Sequence, residues 1–213
     1  KNFSEIKQLS EDTIEAGAAT LDKKNSNFAK ENGIGNLEYL SCIPGSIGGS
    51  VIMNSGCYGY DISKNLISVS VIDLNLCKER EIMRKEINFF YRGTNLPNEI
   101  IITSVKLKGI VDDKQNIEKK QNMFVNEKKL SQPSQIKTCG STFKNLSNDK
   151  KAWQIIKETG CDDLSVGDAV ISKKHSNFFV NNGKAKSSDI EKLINKVKKK
   201  VNEKLGVNLE LEI

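Results

Sequence analysis

The segment 41–59, SCIPGSIGGSVIMNSGCYG, has the residue pattern with the clearest chemical meaning in this chain. Its five glycines stand among apolar residues, so the backbone can approach a ligand closely while side chains such as Ile47 enter a core. Gly45, Gly48 and Gly49 favour positive φ angles and turns whose successive N–H groups form an anion-binding nest. The spacing matches neither the Rossmann motif nor the P-loop. It predicts either a structural loop of tight turns or a loop that contacts a flat or phosphorylated ligand.

Composition and charge narrow the class of protein. The 213 residues include 33 basic and 27 acidic side chains, but the basic ones are nearly all Lys. Mixed runs such as KVKKKVNEK predict solvated helix faces and argue against a nucleic-acid partner, which usually requires Arg and aromatic residues on one patch. Five cysteines without CxxC spacing predict no metal site and no disulfide framework. Because no apolar run has the length of a membrane span or signal peptide, we expect no membrane partner and a cytoplasmic location.

Hydrophobic periodicity predicts an α+β protein. Strands are predicted around 66–75, 99–110 and 141–144, a strand or tight turn around 13–18, and helices over 21–32, 117–130, 149–159 and 188–205. Asp149 and a Ser188/Glu191 capping box are predicted to begin the last two helices. The pair Asn182-Gly183 predicts a β-hairpin. A change in composition near 110–125 predicts two subdomains.

Five segments, in order, resemble one enzyme family. The segment 43–59 is similar to the flavin-contacting loop of the UDP-N-acetylenolpyruvoylglucosamine reductases. Further segments of that family resemble FFYRGT (89–94), CGSTFKN (139–145), HSNFFVN (175–181) and GVNLELEI (206–213). The interval between Arg92 and Ser141 has no room for a long insertion, and in this it resembles the shorter, type II-like subtype of the family.

The resemblance implies a fold and a reaction. It implies a second subdomain of a PCMH-type (vanillyl-alcohol-oxidase-like) FAD-binding domain over 1–112. A substrate-binding α+β domain over 113–206 and a C-terminal strand over 207–213 would follow. NADPH would reduce the bound FAD, and hydride would then pass to the enolpyruvyl group of UDP-N-acetylglucosamine enolpyruvate. The product would be UDP-N-acetylmuramate for peptidoglycan synthesis. The UDP-sugar and NADPH are the implied partners, and a monomer is expected.

The same resemblance implies three catalytic residues. Arg92 would hold the substrate carboxylate and stabilise the enolate that follows hydride addition. Ser141 would donate a proton to that strongly basic species. Glu212 would assist the protonation or orient a water, with Glu210 on the same strand face as the competing candidate.

Cofactor and substrate contacts are implied by position in these segments. The implied FAD contacts are Ile43, Pro44, Gly45, Ser46, Ile47, Gly48, Gly49, Asn54 and Gly56. Tyr91, Lys129 and Asn145 are implied substrate contacts, with the nicotinamide dinucleotide as an alternative for Lys129. His175 is predicted to be structural or substrate-lining, and Trp153 to lie in a helix core.

The sequence departs from the family pattern at its beginning. The family's N-terminal flavin-binding subdomain, whose turns hold the FAD pyrophosphate, has no counterpart here, so the resemblance covers the second and third domains. Two alternatives therefore stay open: a truncated, inactive remnant of the reductase, or another flavin-dependent oxidoreductase of the same fold.

Overall fold

The structure is a computed structural model that describes residues 3–147 and 150–212. The chain divides into two compact units, Lys1–Lys128 and Lys129–Ile213, called here the first and second units. Strands of the first unit are β1 (Ile6–Ser10), β2 (Thr13–Gly17), β3 (Ile34–Gly35), β4 (Gly56–Cys57), β5 (Tyr60–Asp61), β6 (Leu66–Asp73), β7 (Lys78–Met83), β8 (Phe89–Phe90), β9 (Gly93–Thr94), β10 (Ile100–Lys108) and β11 (Ile110–Val111). Those of the second are β12 (Thr138–Ser141), β13 (Ser165–Val166), β14 (Ala169–Ile171) and β15 (Phe178–Asn181). The helices are α1 (Asp22–Glu31), α2 (Ile47–Ile52), α3 (Lys114–Ser131), α4 (Ala152–Glu158) and α5 (Ser187–Leu205).

A five-stranded antiparallel sheet in the order β1-β2-β10-β6-β7 is the centre of the first unit. The register sets Val105 of β10 opposite Val69 of β6 on one side and Ala16 of β2 on the other. All three side chains are fully buried, as expected when alternate residues of neighbouring strands share one face. Each such apolar side chain contributes up to about 1.5–3 kcal/mol on burial.

Helices α1, α2 and part of α3 complete the first core. Buried residues of all three join the hydrophobic cluster of the sheet, with Phe124 supplied by α3. The Gln121 amide of α3 donates to Ser26 Oγ at 3.1 Å and to Asn27 Oδ1 at 2.9 Å, both in α1. The division between the units therefore follows most of α3, rather than preceding it at the predicted boundary of 112/113.

The second unit has its own core. Its antiparallel sheet runs in the order β12-β15-β14-β13, and α4 and α5 supply most of the remaining apolar side chains. Phe143 is fully buried and meets Phe179 edge to face, with ring centroids 5.8 Å apart. Leu209 of the C-terminal tail is buried in the same cluster, so the predicted separate segment 207–213 packs as part of this unit.

Several helix limits follow local rules that the sequence contains. Gly33, which follows the Asn32 cap of α1, and Gly206, which directly follows α5, take φ angles of 68° and 65°. Both were predicted as the left-handed residue that ends a helix. Helix α3 begins earlier than predicted, at Lys114, because the Asp113 carboxylate accepts the N–H of Gln115 at 2.7 Å.

Other local predictions are wrong. The predicted strand 141–144 lies earlier, at Thr138–Ser141. No hairpin forms at Asn182-Gly183, because β15 pairs with β12 and β14, both of which precede it. Helix α5 is capped two residues earlier than predicted, where Lys186 N–H donates to Asp189 Oδ2 at 2.9 Å. The predicted cap Asp149 lies outside the described residues. No helix in the described ranges combines the length and apolarity needed to cross a membrane.

Candidate functional site

The glycine-rich segment folds as a turn, helix α2 and the β4–β5 hairpin. Ser46 begins α2 by accepting Gly49 N–H at 3.5 Å, while Ile47 N–H donates to Thr20 O and Gly48 N–H to Ala18 O. These N–H groups are therefore used within the protein, and none of the three glycines at 45, 48 and 49 has a positive φ. The prediction of positive φ angles at these glycines is wrong, and the N–H groups of Gly48 and Gly49 in helix α2 already donate within the protein. An anion-binding role of Gly45 stays a prediction.

Gly48 is required for close packing instead. A Cβ at this position would lie 2.9 Å from Ala18 Cβ and 3.1 Å from Ala18 O, whereas one at Gly49 would meet only Ser46 Oγ at 3.5 Å. Gly56 is tighter still, since its Cβ would lie 2.2 Å from Tyr60 O in the β4–β5 hairpin. The absence of side chains thus allows α2 and the hairpin to pack closely on their neighbours.

A shallow groove of about 340 Å³ lies along this packed surface. Its lining is small and apolar: Phe3, Ala18, Ala19, Ser46, Gly48, Gly49, Ile52, Ile100 and Ile102. Such a lining suits a flat, largely apolar ligand group that contacts the backbone closely. The residues present therefore fit part of a flavin.

The predicted cofactor residues separate into four sets. Ser46, Gly48 and Gly49 line the groove, whereas Ile43, Pro44 and Gly45 line a second cleft of about 280 Å³ in the same unit. Ile47 is fully buried in the core. Asn54 and Gly56 lie in the turn and hairpin that follow α2, where Asn54 has a φ of 42°.

Asn54 connects the glycine-rich segment, through hydrogen bonds, to the β8–β9 hairpin that carries Arg92. Its amide nitrogen donates to Phe90 O at 3.2 Å, and its Oδ1 accepts Ser63 N–H at 3.4 Å. Strands β8 and β9 pair Phe90 with Gly93, which leaves Tyr91 and Arg92 as the two turn residues. The first unit thus brings together two of the motifs that the sequence analysis identified.

Arg92 is held in an unusual backbone conformation at that turn. Its φ is 58°, a left-handed value that is uncommon for a residue with a long side chain. The guanidinium carbon lies 4.8 Å from the centre of the Tyr91 ring, a cation–π contact that orients the side chain. The arrangement presents a permanent positive charge that can bind a carboxylate through two hydrogen bonds.

The second unit brings together the other predicted motifs. The Asn177 side chain makes two hydrogen bonds with the backbone of Phe143: its Oδ1 accepts Phe143 N–H at 3.0 Å, and its Nδ2 donates to Phe143 O at 2.8 Å. The segments CGSTFKN and HSNFFVN are therefore paired directly. Gly140, with a φ of 94°, lies within the irregular part of the β12–β15 pair and leads into half-buried Ser141.

The C-terminal tail joins the same strand. Glu212 N–H donates to Thr142 O at 2.9 Å, so the predicted catalytic glutamate lies across from the residue that follows Ser141. The Glu210 side chain is 77% exposed and pairs with Lys144 at 3.7 Å, whereas Glu212 is half-buried. These environments favour Glu212 over Glu210 for chemistry beside Ser141.

The remaining predicted residues of the second unit have different environments. Asn145 Oδ1 accepts Ala152 N–H at 3.0 Å and so caps helix α4, a role that its motif position did not predict. Lys129 is exposed on α3, and its carbonyl accepts the ammonium group of Lys174. Trp153 is 38% exposed, so its predicted core position is wrong; its indole faces outward at the start of α4.

His175 packs among rings. It lies edge to face with Phe178 at 4.8 Å, and its Nδ1 accepts Asn177 N–H at 3.4 Å. Burial lowers the pKa of His175 below its ordinary value. A neutral, packed imidazole agrees with the structural role that was one of the two predicted for it.

Asp22 is a buried polar residue that the sequence analysis did not identify. It is fully buried beside Gly45, and its Oδ2 accepts the Ser50 hydroxyl at 2.8 Å. Burial raises the pKa of Asp22 to about 6, a rise that the Ser50 hydrogen bond opposes. An acidic residue in the first turn of a helix is ordinary, so nothing in the sequence distinguished this one.

Comparison with known proteins adds independent findings. The family model for the C-terminal domain of UDP-N-acetylenolpyruvoylglucosamine reductase matches residues 132–213. A reductase of that name from Pelagibacter ubique is 45% identical over the whole chain, which covers 71% of the relative. The reductase of Rickettsia prowazekii is 38% identical with the same coverage. The crystal structure of the Thermus caldophilus reductase superposes with a TM-score of 0.81 at 34% identity, covering 93% of this chain and 70% of that one.

These matches confirm the predicted α+β class and assign the chain to a class of oxidoreductases. The chain belongs to the UDP-N-acetylenolpyruvoylglucosamine reductase family.

Proposed function

We propose that this protein reduces the enolpyruvyl group of UDP-N-acetylglucosamine enolpyruvate to UDP-N-acetylmuramate, a step of peptidoglycan precursor synthesis. FAD would be its cofactor and NADPH its co-substrate. The observation that carries the proposal is the pairing of Glu212 with the strand of Ser141 in a chain 45% identical to a reductase of that name.

The first unit is proposed as the flavin-binding part, of the PCMH type. Its small, apolar groove beside α2 suits a flat ring that contacts the backbone, and Ser46, Gly48 and Gly49 would hold it there. When bound, FAD would supply hydride, taken from NADPH, to the terminal vinyl carbon of the substrate. The second unit is proposed as the part that binds the UDP-sugar, with Lys129 and Asn145 as contacts.

Arg92 would bind the substrate carboxylate. Negative charge builds on that carboxylate and the adjacent carbon as hydride adds, so a fixed guanidinium stabilises the enolate more than the substrate. The contact with the Tyr91 ring reduces the conformational freedom that this side chain would otherwise lose on binding.

Ser141 would complete the reaction by donating its hydroxyl proton to the substrate carbon that carries the negative charge. A serine is a weak acid, but an enolate carbon is a strong enough base to take its proton when the two are aligned. Glu212 would orient or resupply that proton, since its backbone is bonded across from Thr142.

Substituting Ser141→Ala tests this assignment by separating the two half-reactions. Reduction of the flavin by NADPH should keep its rate, because no proton from Ser141 is needed there. Reoxidation by the enolpyruvyl sugar nucleotide should slow by roughly 10²–10⁴-fold in stopped-flow absorbance. The exposed serine variant Ser188→Ala serves as the control. Equal slowing of both half-reactions would contradict the proton-donor role.

A further inference from the structure

Two cysteines lie at the two ends of the glycine-rich segment and pack against the same core. Cys42 ends the 3₁₀ turn Glu38–Cys42 and is 6% exposed, while Cys57 lies in β4 and packs against the same core. Both are free thiols. Cys57 Sγ lies 3.5 Å from Tyr39 O, and Tyr39 belongs to the same 3₁₀ turn as Cys42. The β4–β5 hairpin therefore packs against that turn.

The surroundings make Cys42 the more reactive of the two. The interaction with Cys57 is the main cause that lowers the pKa of Cys42, and the same interaction raises the pKa of Cys57. The Ser41 hydroxyl and the charge of Lys128 lower the pKa of Cys42 further, while burial opposes them. Lys128 is fixed nearby, since its ammonium group donates to Cys42 O at 2.6 Å.

Access to Cys42 is provided by the second cleft of the first unit. Its lining includes Cys42 with Ser41, Ile43, Pro44 and the two lysines Lys23 and Lys128. A volume of about 280 Å³ admits a small oxidant, and the charge of Lys128 favours the anionic form of the thiol.

We propose that Cys42 and Cys57 are a redox-active dithiol that closes to a disulfide when the protein meets hydrogen peroxide. The Cys42 thiolate attacks one peroxide oxygen, the O–O bond breaks, and with one proton a sulfenic acid on Cys42 and one water result. Cys57 then attacks the Cys42 sulfur, the S–S bond forms, and the hydroxyl leaves with the Cys57 proton as a second water. The two cysteines lose two electrons, which the peroxide oxygens gain.

Closure would join the two ends of the glycine-rich segment into a ring. If that segment contacts the flavin, which rests on the proposed function, oxidation and flavin binding would each change the equilibrium of the other. The disulfide itself is tested without flavin, so its failure and that of the proposed function are distinguishable.

Mass spectrometry of the peroxide-treated protein tests the proposal directly. The reduced protein is exposed to hydrogen peroxide, alkylated, and digested with trypsin without reduction. No Lys or Arg stands between residues 31 and 63, so both cysteines lie in one peptide, 31–64. That peptide should lose both alkylation sites and two hydrogens, and dithiothreitol should restore both thiols.

Serine variants distinguish this pair from general oxidation. In Cys57→Ser, Cys42 should stop at the sulfenic acid and be captured by dimedone, whereas Cys77→Ser, which removes an exposed thiol, should still form the bridge. Peptide 31–64 remaining fully alkylated while Cys77 or Cys139 is oxidised would overturn the proposal. Absence of the dimedone adduct in Cys57→Ser would equally contradict Cys42 as the attacking thiol.

Discussion

Asp22 is a carboxyl group buried beneath the glycine-rich segment. Ser50 donates to one of its oxygens, and the other, Oδ1, is buried with no hydrogen-bond partner among the residues that the structure describes. Burial without a positive partner favours the neutral acid, which is why the pKa of Asp22 is raised to about 6. The Ser50 hydroxyl of α2 is thereby held by a group that changes charge near neutral pH.

Asp22→Asn should therefore change how stability depends on pH. The pKa of Asp22 is higher in the folded protein than its unfolded value of 3.8, so binding of a proton to Asp22 stabilises the fold. This stabilisation is fully present below about pH 4 and is lost as the pH rises through about 6. Asn stays neutral throughout. As the pH rises from about 4 to about 6, the free energy of unfolding of Asp22→Asn should therefore increase relative to that of the unaltered protein, by up to about 3 kcal/mol.

Urea unfolding at a series of pH values measures that difference. Glu11→Gln, which neutralises an exposed carboxylate, is the matched control and should follow the unaltered protein closely. Parallel curves for the unaltered protein and Asp22→Asn would contradict the raised pKa.

Helix α2 is an element held by backbone packing. Gly48→Ala would place a methyl group 2.9 Å from Ala18 Cβ, so strand β2 or α2 has to shift, at about 1–3 kcal/mol. Gly49→Ala, one residue along the same helix, has room and should be neutral or stabilising by up to about 1 kcal/mol. Thermal or urea unfolding of the two variants measures the contrast. Equal destabilisation of the two variants would contradict the role of packing on Ala18 at residue 48.

The elements predicted well from the sequence are those specified by their own residues. The apolar stripe of α5, the alternation in β6 and the Gly33 stop all act locally, and each is found. The errors involve partners distant in the sequence. Asn182-Gly183 has the signature of a hairpin, but β15 pairs with β12 and β14, which no local pattern encodes. Likewise, Gly48 of α2 is explained by the position of Ala18, which is distant from it in the sequence.

Motif positions proposed Arg92, Ser141 and Glu212 as the catalytic residues, and their roles stay predictions. The structure adds what the sequence could not supply: the positive φ of Arg92 and the hydrogen bond from Glu212 N–H to Thr142 O. Asp22 and the Cys42–Cys57 pair were missed, because their properties arise from burial and contact rather than from residue type.

At the scale of the whole molecule, each unit has its own hydrophobic cluster. Phe143→Ala removes a fully buried ring from the second cluster and should cost about 3–5 kcal/mol. Amide hydrogen exchange should accelerate first within Lys129–Ile213, the unit that contains this ring. Phe90→Ala, whose ring is 56% exposed, is the control and should cost much less. Exchange that accelerates first in Lys1–Lys128 would contradict two separate cores.

The proposed reduction of an enolpyruvyl sugar nucleotide through a bound flavin can be followed by the flavin spectrum. The measurement is the visible absorbance of the FAD-loaded protein, reduced without oxygen by NADPH and then mixed with UDP-N-acetylglucosamine enolpyruvate. We expect the oxidised flavin spectrum to return as UDP-N-acetylmuramate forms in equal amount, whereas UDP-N-acetylglucosamine should leave the flavin reduced. A flavin that stays reduced with the enolpyruvyl substrate, or a protein that binds no flavin, would contradict it.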